Sequence, residues 1–294
     1  MALAFSVVVP TYNRPEALAR CLGALAALDY PPDALEVVVV DDGSHMDLRP
    51  TVQAVQGRLP CRLVQQANAG PAAARNAGAR AATHPYLAFT DDDCCPEPSW
   101  LRALADTLEA TPGALAGGRT LNVLGGNPYA ATSQLLVSYL YDYYADRTDG
   151  LRFFTSNNFA MARDRFIELG GFDETFPLAA GEDREFCYRW GRRGWPLRYT
   201  DQAVIRHAHT MTLHGFVRQH LAYGRGAYHF RQLLSQEEQT ALRVEPLSFY
   251  LNLLLSPLRY DEGRGRLRQM ALLFLSQVAN VAGFFAEQRQ QAAP

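Results

Sequence analysis

The chain has 294 residues, 48% hydrophobic and 20% charged, a composition that supports one large globular domain or one domain with an appendage. Its formal net charge of -2 and sequence pI near 6.4 exclude a general basic field, so no affinity for nucleic acid is expected. The five cysteines are odd in number and show no C-x-x-C spacing. This favours a reducing compartment over a disulfide framework or a zinc site.

Short β-branched runs alternate with longer amphipathic segments over the first 112 residues. The strands are predicted at Phe5–Val9, Leu35–Val40, Cys61–Val64 and Tyr86–Thr90, and the helices at Pro15–Leu28, Pro71–Ala82 and Ser99–Glu109. Such alternation predicts βαβ units, and hence an α/β fold with a mostly parallel central sheet flanked by helices. The first run lacks the basic segment and the cleavage site of a signal peptide, so it is predicted to be a strand.

Beyond residue 112 the pattern is less regular. Glycine pairs occur at 117–118 and 125–126, a Tyr-rich stretch covers 139–144, and loops and helices are expected here. The Tyr-rich stretch is interpreted as core, with stacking on a sugar ring as the alternative. The stretch from Arg184 to Arg231 holds nine Arg and five His against two acids, which makes it locally cationic. Arg side chains in such a segment suit phosphate oxygens and anionic headgroups.

The C-terminal part is predicted to be helical and strongly apolar. The segments Leu247–Leu258 and Leu267–Ala286 are the most apolar in the chain. The longest run, Met270–Phe285, is interrupted by Ser, Gln and Asn and falls short of the roughly 18 to 20 residues of a spanning helix. A core-packing helix, an interfacial anchor and a transmembrane span all remain open.

Polar residues follow three of the predicted strands. Thr11 and Tyr12 come after the first strand, the pair 41–42 is acidic after the second, and 91–93 is Asp-Asp-Asp after the strand that ends at Thr90. Ligands of open α/β sheets bind beyond the carboxyl ends of the strands. Three adjacent carboxylates repel one another unless solvent or a cation offsets their charge, and Mg²⁺ or Mn²⁺ with a diphosphate suits such oxygen ligands. A metal site is favoured over a solvated turn because a second acidic pair lies on the same edge.

Four motifs together resemble family 2 glycosyltransferases of the GT-A fold. They are Ser6–Arg14 (SVVVPTYNR), Glu36–Ser44 (EVVVVDDGS), Ala67–Gly78 (ANAGPAAARNAG) and Phe89–Asp93 (FTDDD), in the order and spacing of that family. The resemblance covers roughly residues 4–230. It implies a Rossmann-like GT-A catalytic domain over 1–230, with a nucleotide-binding part over about 1–112 and an acceptor part over about 113–230. Residues 231–294 are then a helical C-terminal extension, expected to be able to associate with a membrane.

The resemblance also implies roles for single residues. Asp183 matches the catalytic base of relatives, and Asp41 matches the residue that reads the edge of the base, typically uracil. The implied substrate-binding residues are Pro10, Thr11, Tyr12, Asp41, Arg75, Asp92, Asn158 and Glu182. The implied metal ligands, for Mg²⁺ or Mn²⁺, are Asp91, Asp93 and His207, although the acidic middle residue of the triplet leaves the assignment among its three members open.

The expected activity is transfer of a sugar, with inversion, from a nucleoside diphosphate sugar to a hydroxyl of a glycan or lipid-linked acceptor, as in cell-envelope polysaccharide synthesis. A UDP-sugar is favoured. The expected location is cytoplasmic, including a peripheral position on the cytoplasmic face of the membrane. A nucleotidyltransferase is disfavoured because it needs a glycine-rich basic loop after the first strand, where this chain has Thr-Tyr-Asn-Arg. A non-catalytic nucleotide- or sugar-binding module of the same fold remains the alternative.

Overall fold

The computed structural model describes residues 2–145, 152–176, 180–238, 245–260 and 265–292. The chain divides into two compact units by the packing of its Cα atoms. Unit 1 is Met1–Val123, Thr148–Pro177 and Glu182–Ala208, and unit 2 is Leu124–Arg147, Leu178–Gly181 and His209–Pro294. The functional boundary at residue 230 stays a prediction, because packing does not test which residues act on the acceptor.

Unit 1 is built on one eight-stranded sheet. Its strands are β1 (Phe5–Thr11), β2 (Leu35–Asp41), β3 (Cys61–Gln65), β4 (Tyr86–Phe89), β5 (Cys94–Pro96), β6 (Leu115–Asn122), β7 (Phe159–Ala162) and β8 (Leu197–His207). Its helices are α1 (Pro15–Leu25), α2 (Arg49–Gln53), α3 (Pro71–Ala81), α4 (Trp100–Ala110), α6 (Arg163–Glu168) and α7 (Glu182–Arg192), with a 3-10 turn at Pro32–Ala34; α5 belongs to unit 2. The predicted strands and helices of the first 112 residues are therefore present, with ends shifted by a few residues.

The strand order is β3-β2-β1-β4-β7-β6-β8-β5. The pairs β1–β2, β1–β4, β2–β3 and β6–β8 are parallel, whereas β7 runs antiparallel to both of its neighbours and β5 runs antiparallel to β8. Following these pairings across the sheet shows that β8 runs in the same direction as β1. The predicted mostly parallel α/β sheet is confirmed.

Both faces of the sheet are covered. Val7 and Val9 of β1 lie in a core cluster with Leu18 of α1 and Trp100 of α4. On the opposite face a cluster of aromatic rings packs under α6 and α7, formed by Phe89, Phe159, Phe166, Phe172, Phe186 and Trp190. Alternate residues of a strand point to opposite faces, so an all-apolar strand is what two covered faces require.

Strand β6 was not predicted, because its two adjacent glycines are typical of a loop. The structure shows why glycine is needed there. A Cβ on Gly117 would lie 2.1 Å from the ring of Phe154, and one on Gly118 would lie 2.2 Å from the carbonyl oxygen of Ala203. The glycines let neighbouring groups approach the strand closely, and this long-range contact has no local signal in the sequence.

Unit 2 is helical. It consists of α5 (Pro128–Ala145), α8 (Leu213–Glu238), α9 (Leu247–Leu255), α10 (Pro257–Tyr260) and α11 (Arg266–Ala292). Tyr139 is buried among Leu135, Phe249, Leu253 and Leu273, and its hydroxyl donates to the carbonyl oxygen of Phe249 at 2.8 Å. The interpretation of this tyrosine as core is thus supported.

The glycine at position 78 in α3 allows that helix to lie directly against β1. A Cβ there would approach the Cγ1 atom of Val8 to 2.3 Å, whereas a Cβ at Gly23 of α1 would meet nothing within 4 Å. We expect Gly78→Ala to lower the free energy of unfolding by about 1–3 kcal/mol through overpacking. Gly23→Ala, its matched control in a helix, should raise that free energy by about 0.5–1 kcal/mol. Urea denaturation measures both, and equal effects would contradict the close approach of α3.

Candidate active site

Several of the predicted site residues of unit 1 lie at one edge of the sheet. Thr11 and Asp41 end the parallel strands β1 and β2 and lie opposite each other in register. The triplet 91–93 directly follows β4, which is parallel to β1. His207 ends β8 and pairs in register with Cys94, the residue after the triplet. Because β1, β2, β4 and β8 run in one direction, their carboxyl ends assemble this cluster.

Asp92 is the fully buried member of the triplet. Its Oδ2 atom accepts a hydrogen bond from Thr11 Oγ1 at 2.7 Å, and Arg14 Nη2 lies 2.6 Å from Oδ1. Burial raises the pKa of Asp92 to about 7, against the opposing effect of Arg14. These contacts account for Asp92 as the residue that holds Thr11 and Arg14 in place, while its predicted contact with substrate stays a prediction.

Asp93 and His207 form the pair best suited to hold a cation. Asp93 Oδ1 lies 3.2 Å from His207 Nε2, and its Oδ2 accepts from Arg14 Nη1 at 2.9 Å. Burial alone would lower the pKa of His207, but the hydrogen bond and the charge of Asp93 raise it overall. One donor atom each from Asp93, His207 and Cys94 lies within 4.8 Å of the others.

Cys94 is a poor third ligand. Its side chain is buried, and burial raises the pKa of its thiol well above the ordinary 9.0, so it stays protonated. A carboxylate just before β5 and an imidazole at the end of the paired strand β8 fit a divalent cation such as Mn²⁺, which accepts oxygen and nitrogen ligands. The residues present therefore fit the cation that the sequence implied.

Arg75 connects the triplet to Glu182, the neighbour of the predicted base. This side chain is almost completely buried in α3, and its Nη2 donates to Asp91 Oδ1 at 2.7 Å while its Nη1 donates to Glu182 Oε1 at 3.1 Å. The pKa of Glu182 is raised to about 7, mainly by burial and also by the neighbouring Asp183, whereas Arg75 acts to lower it. One buried guanidinium thus joins two carboxylates that are 91 positions apart in the sequence.

Asp183 lies in the first turn of α7, beside Glu182. Its Oδ1 accepts from the backbone N–H of Arg184 at 2.7 Å, and its Oδ2 accepts a longer bond from the N–H of Ser156 at 3.3 Å. The carboxylate is half-buried, and burial raises its pKa above the ordinary 3.8. A carboxylate held by backbone donors with a raised pKa has the properties of a general base.

Asp41 and Asp42 have different surroundings although they are adjacent. Asp41 Oδ1 accepts from the N–H of Ser44 at 2.9 Å, which closes the turn after β2. Asp42, which the sequence did not single out, accepts at 2.9 Å from the N–H groups of both Ala69 and Gly70, just before α3. Asp42 therefore anchors the loop that leads into the helix carrying Arg75.

The turn after β1 presents Tyr12 to solvent. Asn13 adopts a left-handed conformation with φ 55, its N–H donates to Ser44 Oγ, and its Oδ1 accepts from the N–H of His45, each at 2.8 Å. Asparagine tolerates this conformation better than most residues. The turn leaves Tyr12 partly exposed near the ring of His45, where it is free to stack on a planar ligand.

Two other predicted substrate-binding residues lie in the interior. Pro10 is buried within β1. Asn158 is completely buried, with Oδ1 accepting from Trp100 Nε1 at 2.8 Å and Nδ2 donating to the carbonyl oxygen of Ala203 at 3.0 Å. Packing accounts for both side chains, and their contact with substrate stays a prediction. Arg14 was missed as a site residue, although it belongs to the same motif as Thr11 and Tyr12.

Residues 6–170 match the family Glycosyl transferase family 2, which is more than half of the chain. The chain belongs to glycosyl transferase family 2. It is 30% identical over 240 residues to Chondroitin synthase of Escherichia coli, covering 69% of this chain and 34% of that protein. It is 33% identical over 221 residues to Validoxylamine A glucosyltransferase of Streptomyces hygroscopicus subsp. limoneus, covering 65% and 49%. The chain thus spans a third to a half of these relatives.

Solved structures confirm the GT-A fold. A mannosyltransferase from Pyrobaculum calidifontis, solved in complex with GDP-Man and Mn²⁺, superimposes with a TM-score of 0.65 at 19% identity, covering 96% of this chain and 88% of that one. Residues 1–349 of S. aureus TarS, in complex with UDP-GlcNAc, superimpose with a TM-score of 0.56 at 17% identity, covering 99% and 92%. At these identities the likeness establishes only the fold of this chain.

Removing the buried guanidinium should destabilise the fold, because the carboxylates around it then stay buried without a cation. We expect Arg75→Met to lower the free energy of unfolding by about 3–5 kcal/mol at pH 8, because Glu182 is then buried without a cation. The folded-state pKa of Glu182 lies above the ordinary 4.5 and rises further without Arg75, so the penalty is present at high pH and shrinks as pH falls through this raised pKa. Urea denaturation at pH 5.5 and pH 8 measures this difference.

Two further variants test the same ion pair. Arg80→Met removes an exposed arginine from the same helix and should change the free energy of unfolding by less than about 1 kcal/mol at either pH. Adding Glu182→Gln to Arg75→Met should recover part of the loss at pH 8. A pH-independent loss that the second substitution leaves unchanged would contradict the charge argument.

Proposed function

We propose that this family 2 glycosyltransferase moves a sugar from a nucleoside diphosphate sugar to an acceptor hydroxyl, with inversion and with a divalent cation. The observation that carries the proposal is the buried Arg75, which binds Asp91 on the cation side and Glu182, the neighbour of Asp183, on the other. A cation-binding pair and a candidate base are thereby held at one sheet edge. Inverting transfer needs both of these groups in one site.

Asp93 and His207 would hold the cation, with Asp91 as the further candidate ligand. When bound, Mn²⁺ or Mg²⁺ would neutralise the negative charge that develops on the departing diphosphate. Arg14 contacts both Asp92 and Asp93 and is itself partly exposed, so it adds a fixed positive charge at the same place. The neighbours solved with GDP-Man and Mn²⁺ and with UDP-GlcNAc support a nucleotide-sugar donor.

The nucleoside is assigned to the turns after β1 and β2. Tyr12 offers an exposed ring for stacking on a base. Asp41 lies at the end of β2, where a carboxylate can accept from the N–H edge of uracil, and for this reason a UDP-sugar is favoured. Thr11 is fixed by Asp92 between this region and the cation pair.

Asp183 is assigned as the base that removes the proton from the attacking hydroxyl. In the part of the chain that the structure describes, its Oδ2 accepts a long 3.3 Å bond from the N–H of Ser156, and a carboxylate oxygen with such a donor keeps a lone pair for the acceptor hydroxyl. The Arg184 N–H on Oδ1 keeps the carboxylate oriented during transfer. Direct attack on the anomeric carbon then breaks the bond to the diphosphate and inverts the configuration.

The acceptor is proposed as a hydroxyl of a glycan or a lipid-linked glycan, with a role in cell-envelope polysaccharide synthesis at the cytoplasmic face of the membrane. Relatives are named for acceptors as different as validoxylamine A and pre-mycofactocin. Similar chains can therefore be named for different acceptors, and the acceptor class of this chain is proposed from its helical unit rather than from the catalytic edge.

Nucleotide titration tests the donor site. We expect one of UDP, GDP, ADP and dTDP to bind at least about tenfold more tightly with Mn²⁺ than without it, because the cation joins the diphosphate to Asp93 and His207. Asp93→Asn should remove this dependence on Mn²⁺, while Asp106→Asn, an exposed aspartate of α4, should keep it. Isothermal titration calorimetry gives the affinities. If no nucleotide binds with or without the cation, the proposal of a donor site here is wrong.

Turnover tests the base. We expect Asp183→Asn to lower kcat by about 100-fold or more while nucleotide affinity is retained. In the parent, kcat/KM should fall as pH decreases, with a midpoint above the ordinary 3.8 of an aspartate, because burial raises the pKa of Asp183 and protonation removes the base. Full activity of the asparagine variant would contradict the assignment of Asp183 as the base. No turnover in the parent over a wide acceptor panel would favour the binding module.

A further inference from the structure

Helix α11 of unit 2 has its apolar side turned outward. The exposed residues between positions 269 and 288 are all apolar, namely Ala271, Phe274, Val278, Val281, Ala282, Phe285 and Ala286. Phe274 is 61%, Val278 49%, Val281 54% and Phe285 52% exposed. Their spacing of four, three and four places them along one stripe of the helix.

The inward side of the same helix includes two buried polar residues. Ser276 is completely buried, and Glu287 is buried with its Oε1 atom 3.0 Å from Nε2 of His229 on α8. Arg225, one turn earlier on α8, places its Nε atom 3.9 Å from Glu287 Oε2. A helix surrounded by water would show the opposite distribution.

Glycines let α8 and α11 cross in close contact. A Cβ on Gly224 would lie 2.0 Å from the carbonyl oxygen of Asn280, and a Cβ on Gly283 would lie 2.0 Å from that of Leu221. This close crossing fixes α11 against α8, so the exposed side of α11 cannot be covered by rotation of the helix. This observation is independent of the exposed stripe.

The charges around the stripe are of one sign. In the described residues 245–260 and 265–292, the exposed charged side chains are Arg259, Arg268 and Arg289. A second apolar row lies on the neighbouring helices α9 and α10, consisting of the exposed Leu247, Leu251, Leu255 and Leu258. Among the described residues, apolar rows with these exposed arginines beside them complement anionic headgroups, whereas a second copy of this chain would bring the arginines together.

We propose that this membrane-docking face, formed by Phe274, Val278, Val281 and Phe285 with the leucine row of α9 and α10, binds a bilayer that contains anionic lipids. Among the described helices, α11 alone is long and apolar enough to cross a membrane. Its polar side is occupied by α8, which is not apolar enough to accompany it. The helix therefore lies in the plane of the interface, with the arginines at the headgroup level.

Vesicle flotation of the full chain tests the proposal. The parent should float with vesicles of phosphatidylcholine plus phosphatidylglycerol and bind phosphatidylcholine alone about tenfold less. The triple variant Phe274→Gln, Val278→Gln and Phe285→Gln should lose about tenfold or more of the binding to anionic vesicles. The control Met46→Gln, Val123→Gln and Ile167→Gln removes three exposed apolar side chains of unit 1 and should bind like the parent. Circular dichroism melting shows that each variant is folded.

Three results would overturn the proposal. The first is that the parent does not float with anionic vesicles, and the second is that the triple variant floats as well as the parent. The third is that light scattering shows a dimer that the triple substitution abolishes, while no vesicle binding is seen. Resistance of the bound parent to alkaline carbonate extraction would also overturn the in-plane position. Calorimetry of nucleotide and Mn²⁺ on the triple variant should match the parent, which separates this proposal from that for the donor site.

Discussion

The buried ion pairs of Arg75 constrain the whole candidate site. A guanidinium enclosed by protein is costly unless carboxylates surround it, and carboxylates beside it are costly without the guanidinium. Asp91 and Glu182 therefore hold each other through Arg75 at distances of 2.7 and 3.1 Å. The end of β4 and the start of α7 are kept together by this requirement, and with them the cation pair and the candidate base.

The direction of the strands supplies the rest of the arrangement. Carboxyl ends of β1, β2, β4 and β8 share one edge, so turns that are distant in sequence become neighbours. Burial then gives adjacent acids different properties. Asp92 is enclosed and has a pKa of about 7, Asp93 faces His207, and Asp91 pairs with Arg75. Three identical side chains in a row acquire three surroundings because Asp92 and Asp93 lie in a turn, which the N–H of Cys94 closes by donating to the carbonyl oxygen of Asp91 at 3.0 Å.

Much of unit 1 could be predicted from local patterns. The valine run of β2 is apolar on both faces, which indicates a sheet covered by helices, and the acids after β2 and β4 mark its functional edge. Strand β6 could not be predicted in this way, since Gly117 is required by the ring of Phe154, a contact between distant segments. Asn158 was assigned to substrate from the resemblance, whereas its amide is bonded to Trp100 and Ala203.

The sequence by itself determined the family, the α/β class, the acidic edge and the helical character of the C-terminal part, because strand alternation, motif order and apolar periodicity are local properties. Only the tertiary structure decided which groups meet. It paired Arg14 with Asp92, joined Arg75 to Glu182, and turned the apolar side of α11 outward and its Glu287 inward. Side-chain partners depend on how distant segments pack, and neither composition nor spacing records that packing.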